Sequence, residues 1–133
     1  MSISNQKGDE GEAAFVLAAV KKGYWTGKMP QDCPYDFVLD RKDGKILRVQ
    51  VKYRALSEQG TIKIKLAQNH HSNRQNYTSE NVDVIAVYVP DLNQIFLVPI
   101  NEIDNVDEVT LRCVPSKGTQ TKVMRMIDPY VKW

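Results

Sequence analysis

Cysteine and long apolar runs are both scarce in this chain, and each scarcity excludes a class of protein. The 133 residues contain two cysteines, Cys33 and Cys113. Two are too few for a disulfide framework or a paired-cysteine zinc site, so both read as reduced, structural thiols. No apolar run approaches the roughly 20 residues that cross a bilayer. The short stretch Ala13–Val20 follows an acidic, glycine-containing start, which suits neither a signal peptide nor a membrane span. The expectation is an intracellular protein with no membrane partner: cytoplasmic, or the organellar or bacterial equivalent. Repeats, linkers and low-complexity tracts are also missing, so residues 1–133 are expected to form one domain with one core.

A further lack is local. Between residues 80 and 111 there is no Lys or Arg, while Glu80, Asp83, Asp91, Glu102, Asp104, Asp107 and Glu108 all fall there. Residues 41–74 are the reverse, with Arg41, Lys42, Lys45, Arg48, Lys52, Arg54, Lys63, Lys65 and Arg74 against Asp43 and Glu58. The net charge of +2 hides this separation. Either one side of the molecule faces a polyanion, or two solvated faces carry opposite signs; charge alone does not choose.

Patterning predicts a mixed α/β protein. A helix is expected from Lys7 to about Lys22, stopped by Gly23. Phe15, Val16 and Ala19 share its inward face with Glu12, and a carboxylate on an apolar face needs a partner or a metal. A short strand at Tyr24-Trp25 is followed by Tyr35–Asp40, a turn at Lys42-Asp43-Gly44 and a second strand at Lys45–Arg54. In the latter, Leu47, Val49, Val51 and Tyr53 alternate with Arg48, Gln50, Lys52 and Arg54, so Gln50 and Lys52 point the same way. Thr61–Leu66 also alternates. Ala67–Glu80 lacks periodicity and reads as an exposed loop. Val82–Val89 is apolar enough for a central strand buried on both faces. A turn at 90–93 leads to Gln94–Val98, a helix or turn at Ile100–Asp107 with Asn101 as N-cap, and a last edge strand at Val109–Val114. Pro115–Lys122 reads as a polar loop.

The chemistry concentrates around the predicted hairpin. Cleaving a phosphodiester requires a positioned water, neutralisation of the phosphate and help for the leaving oxygen. A divalent magnesium ion supplies much of this and takes hard oxygen ligands. Asp36 on the first strand is the principal candidate ligand, with the Gln50 amide, the Val51 backbone carbonyl and Glu12 to complete the shell. Lys52 is the candidate amine, able to orient or deprotonate a water or to hold the phosphate.

These residues carry a resemblance. Pro34 and Asp36 followed by Gln50-Val51-Lys52 resemble the PD-(D/E)xK motif of the restriction-endonuclease-like nucleases. The run Lys7-Gly8-Asp9-Glu10-Gly11-Glu12 looks like the KGxxGE helix opening of Holliday-junction resolvases and their relatives. The stretch Leu47–Lys52, together with Ile85–Pro90 and Phe96–Pro99, is similar to one branch in particular, the group I intron-encoded homing endonucleases on the PD-(D/E)xK fold. The resemblance covers roughly residues 7–103, which leaves 104–133 as an extension for DNA contact or oligomerisation. It implies a restriction-endonuclease-like core with the N-terminal helix packed on a central mixed sheet. It also implies magnesium-dependent double-strand cleavage of DNA at a long site (manganese as a substitute) and a homo-oligomer, dimer or tetramer. Gln50 departs from the general pattern, which has Asp or Glu there. An amide is a poorer ligand, so weaker metal binding is expected; the homing branch carries Gln at this place.

Candidates for DNA contact surround the site. Arg48, Arg54, Lys63 and Lys65 could meet phosphates, with edge protection the alternative for the two lysines. Gln68, Asn69, His70, His71, Asn73, Arg74 and Gln75 include side chains able to read base edges, although a bland polar loop has the same composition. Tyr24, Trp25, Tyr130 and Trp133 read as core or subunit contacts. Two other functions stay open: a junction-resolving or repair nuclease, and a nucleic-acid-binding module without catalysis in which Gln50 marks a decayed site.

Overall fold

The computed structural model describes residues 3–70, 73–76, 79–103, 107–113, 124–126, 130 and 133. Helix α1 runs Ile3–Lys21. It begins before the expected Lys7, so Asp9, Glu10 and Glu12 lie in its body rather than its first turn. It ends as the sequence predicts, at Gly23, whose φ of +77° is a left-handed conformation that glycine adopts without strain.

Strands β1 (Trp25–Lys28), β2 (Phe37–Asp40), β3 (Ile46–Tyr53), β4 (Thr61–Lys65), β5 (Ala67–His70), β6 (Asn73–Asn76), β7 (Val84–Val89), β8 (Gln94–Pro99), β9 (Glu108–Arg112) and β10 (Met124–Met126) follow. A five-stranded sheet has the order β1-β2-β3-β7-β8. Only the β3–β7 pair is parallel, so the sheet is mixed. A second sheet has the order β10-β9-β4, and β5 pairs with β6 as a hairpin.

Alternation along the central strands assigns one core cluster to each face. On one face Val84, Ala86 and Leu97 join Val49, Phe37 and Leu39 beneath Phe15 and Ala19 of α1. On the other, Ile85, Val87, Val89, Phe96 and Val98 pack against Ile62, Ile64, Val109 and Leu111 of the second sheet. This is why 84–89 is apolar throughout: both its faces are covered. Residues 3–66 and 79–103 thus form three layers with help from β9.

Four expectations change. The stretch 67–80 contains a hairpin, not a bare loop: Gln68 opposes Gln75 and Asn69 opposes Arg74 across an antiparallel ladder. Backbone pairing does not require apolar periodicity, which is why the pattern missed it. The strand near 109 is neither last nor at an edge, since β9 runs between β10 and β4. Asn101 caps no helix; a single 3₁₀ turn spans Ile100–Glu102, with Pro99 at its N-cap and no side-chain cap bond. Trp25 is not core, being 62% exposed with the Lys42 ammonium 4.1 Å from its ring centroid.

Tyr130 and Trp133 pack into the fold. Tyr130 is buried and donates to a Glu102 carboxylate oxygen at 2.9 Å. Trp133 stacks on Phe15, with ring centroids 5.8 Å apart and planes 9° apart, and its Nε1 donates to the Ile95 carbonyl at 3.2 Å. The expected loop at 115–122 lies outside the described residues.

Candidate active site

Strand pairing places the catalytic candidates on one face. Gln50 and Lys52 are the register partners of Ile85 and Val87. Their side chains therefore leave the sheet on the side where β7 contributes to the core of the second sheet. Asp36 immediately precedes β2, and Phe37 pairs with Val49, so Asp36 falls opposite Gln50. Its Oδ2 accepts from the Val51 amide at 2.9 Å, and its own amide donates to the Val49 carbonyl at 2.9 Å. In a strand, the N–H and C=O of one residue point to the same edge. The Val51 carbonyl thus opens toward the edge where Asp36 sits.

This placement explains the electrostatics. The polar side of β3 is half-covered, and the apolar side chains beside Lys52 disfavour its charge. Burial, reinforced by the neighbouring Arg54 charge and opposed by Asp36, lowers the Lys52 ammonium to about 8. Burial also raises the Asp36 carboxyl above its ordinary value, and the Glu12 charge adds to this. The Val51 hydrogen bond, Lys28 and Lys52 pull the other way. Asp36 is a half-buried carboxylate with a second carboxylate in range, which favours a cation at this point.

Glu12 reaches this region from the opposite layer. Where α1 lies on β3, a Cβ on Gly11 would come within 3.5 Å of the Tyr53 Cβ and 3.6 Å of the Val51 Cγ1. Glu12, the next residue, is positioned beside the β1–β2 edge and forms an ion pair with Lys28. Lys28 is the cross-strand partner of Phe37, and its ammonium is 5.1 Å from that ring centroid. The Met29 amide donates to the Asp36 carbonyl at 2.9 Å, tying the end of β1 to the site. Lys28 escaped the sequence reading because no motif spacing includes it; only the β1–β2 register brings it to Asp36.

The donor set fits one kind of metal. Among the described residues no group of three or more His, Cys, Asp or Glu side chains converges as a metal centre, so a thiolate- or imidazole-rich zinc site is not built from them. Two carboxylates and a strand carbonyl are hard oxygen donors. The Gln50 amide adds another. A cation that keeps several waters and takes one or two carboxylates suits such a set. Bound there, it would polarise a water and neutralise a phosphate.

The surrounding cations divide by role. Arg48 is engaged inside the protein: its Nε and Nη2 bond both Asp83 oxygens at 3.0 Å, and its Nη1 and Nη2 reach the Glu80 and Ser79 carbonyls at 2.8 and 2.9 Å. The Arg48 amide also donates to Asp83 at 2.7 Å. Asp83, in the sequence only one of the acids of residues 80–111, is thereby held below its ordinary carboxyl value by Arg48. Arg54 likewise donates to the Lys63 and Tyr53 carbonyls, at 3.2 and 2.8 Å. These two arginines clamp loops and strand ends. Lys63 and Lys65 do stand exposed on β4, while Ile62 and Ile64 are buried. For Gln68, Asn69, His70, Asn73, Arg74 and Gln75 the backbone of β5 and β6 gives the position; His71 lies outside the described residues.

A helix laid on a mixed sheet, with an acid and a half-buried lysine meeting at the edge of two adjacent strands, is the arrangement of the restriction-endonuclease-like nucleases. The chain belongs to the PD-(D/E)XK endonuclease family, whose model matches residues 3–132. Divalent metals serve this family generally. Among solved structures, the chain is similar to a bacterial homing endonuclease, I-Ssp6803I, at a TM-score of 0.70 and 24% identity. That match covers 91% of this chain and 84% of the other. At this identity the likeness establishes the fold. No curated protein sequence matches. Among the described residues no helix is long and apolar enough to cross a membrane.

Proposed function

We propose that the protein is a magnesium-dependent DNA endonuclease that makes double-strand breaks at a long target site, in the manner of a homing endonuclease. The observation that carries this is the meeting of Asp36 and Lys52 on one face, with the Lys52 ammonium lowered to about 8. An amine with that value exchanges its proton near neutral pH, which suits it to orient and deprotonate the attacking water. Asp36 is the principal metal ligand, with Gln50 and the Val51 carbonyl beside it and Glu12 as the second acid. Gln50 brings no charge, so the metal is held more weakly than in a three-acid site.

The hairpin β5–β6 supports the DNA partner. The major groove admits a two-stranded ribbon, and Gln, Asn and Arg are residues that read base edges there. We assign Gln68, Asn69, His70, His71, Asn73, Arg74 and Gln75 to base or backbone contact, and Lys63 and Lys65 to phosphates. A chain of this size facing a long site works as a homo-oligomer, and two-fold symmetry calls for a pseudo-palindromic target.

The test is cleavage of a linear DNA library and of four-way junctions, with and without magnesium, by the protein and its Lys52→Ala variant. Magnesium-dependent double-strand cuts at few sequences, absent in the variant, are expected. Cutting confined to junctions would make the protein a resolvase, and tight binding without cutting under any metal would make it a binding module.

A further inference from the structure

The proposed ligand set already holds a cation of its own. Lys28 ends β1, its ammonium pairs with Glu12, and its register partner Phe37 follows Asp36 directly. The backbone ties the same place together through the Met29 amide and the Asp36 carbonyl. Lys28 thus pairs with Glu12 directly and acts on Asp36 through space, its charge opposing the rise of the Asp36 carboxyl. A divalent cation brought to these carboxylates repels the ammonium beside them, so the two cations compete for the same negative charge.

We propose that Lys28 is an internal counter-ion for Glu12 and Asp36 that a divalent cation displaces, so that this lysine lowers the metal affinity of the site. The inference rests on the nuclease reading of Asp36 and Glu12 and deepens it. In the metal-free protein Lys28 offsets the repulsion between two carboxylates. Metal binding carries the cost of breaking the Lys28–Glu12 pair. The lysine side chain is 66% exposed, so its ammonium has solvent to swing into. That exposure also keeps the pair weak, and a weak pair is one that a metal can replace. The device sits at the site's weak point, since Gln50 contributes no charge to hold a metal against competition.

Calorimetric titration with manganese at low salt tests this on the whole chain, comparing the protein with Lys28→Met, Lys28→Arg and Asp36→Asn. Removing an exposed competing pair is expected to tighten manganese binding in Lys28→Met roughly two- to fivefold. Lys28→Arg keeps the charge and should bind manganese as the parent does. Saturating manganese should raise the melting temperature of Lys28→Met by more than that of the parent, because the metal then relieves repulsion that the lysine no longer offsets. Equal or weaker binding in Lys28→Met, beside a parent whose binding Asp36→Asn abolishes, would overturn the counter-ion role and leave the metal site standing. Manganese binding that ignores Asp36 in every variant would overturn both.

Discussion

Lys52→Met should make the protein more stable and inactive at once. In the unfolded chain this ammonium titrates at its ordinary 10.5, and in the folded protein at about 8. The folded state therefore binds fewer protons between those values, and stability rises with pH across that window. Below about pH 8 the buried charge costs the fold about 3 kcal/mol at full strength; at pH 10 most of that cost has gone, leaving about 1 kcal/mol. Methionine fills similar space beside Val87 without a charge. The variant should thus exceed the parent by up to about 3 kcal/mol at pH 7, and its lead should shrink by about 2 kcal/mol at pH 10. Urea unfolding at the two pH values reads this directly: with a slope of about 1–3 kcal/mol per molar, the gap between the two midpoints should narrow by about 1 M. The same variant should fail to cut DNA. A lead that is equal at both pH values, or a variant less stable than the parent at pH 7, would refute the burial argument.

The rest of the site and its supports give further expectations. Arg48→Ala should cost about 1–3 kcal/mol in urea unfolding, because it removes the guanidinium's charge-assisted bonds to Asp83 and its bonds to the Ser79 and Glu80 carbonyls, while each folded molecule still cuts. Asp83 is held below its ordinary 3.8, so its contribution is present above that pH and is lost as pH falls through its lower folded value; acid titration of the parent and of Asp83→Asn should show this below pH 4. Gln50→Glu should tighten manganese binding measured by calorimetry, since it adds a charge to the donor set. The single-turnover cutting rate should rise with pH to a plateau at or below about 8, as Lys52 releases its proton and a bound cation moves that release lower.

Much of this was legible in the chain because periodicity and punctuation report local geometry. Alternation over 47–54 placed Gln50 and Lys52 on one side, Gly23 ended the helix, and the apolar run before Pro90 marked a doubly covered strand. What was hidden depends on which strand lies beside which. The parallel register of β3 on β7 sets Lys52 next to Val87, so the polar face of β3 is half-covered. The β1–β2 register brings Lys28 to Glu12 and Asp36, although neighbouring residues in sequence give no hint of it. For Arg48, only the return of the chain at 79–83 reveals the carboxylate and carbonyls that bind it. The 67–76 hairpin is held by backbone pairing, which polar side chains do not advertise.

On the proposed function, Asp36 and Lys52 form a metal-dependent phosphodiester-cleaving centre. The most direct measurement is single-turnover cleavage of duplex DNA carrying a cut site, with magnesium, by the parent, Asp36→Asn and Lys52→Met, with binding to the same duplex measured in parallel. Magnesium-dependent cutting by the parent alone is expected, with near-equal DNA binding by all three proteins. Cutting that persists in either variant, or that is lost only in proportion to binding, would contradict it.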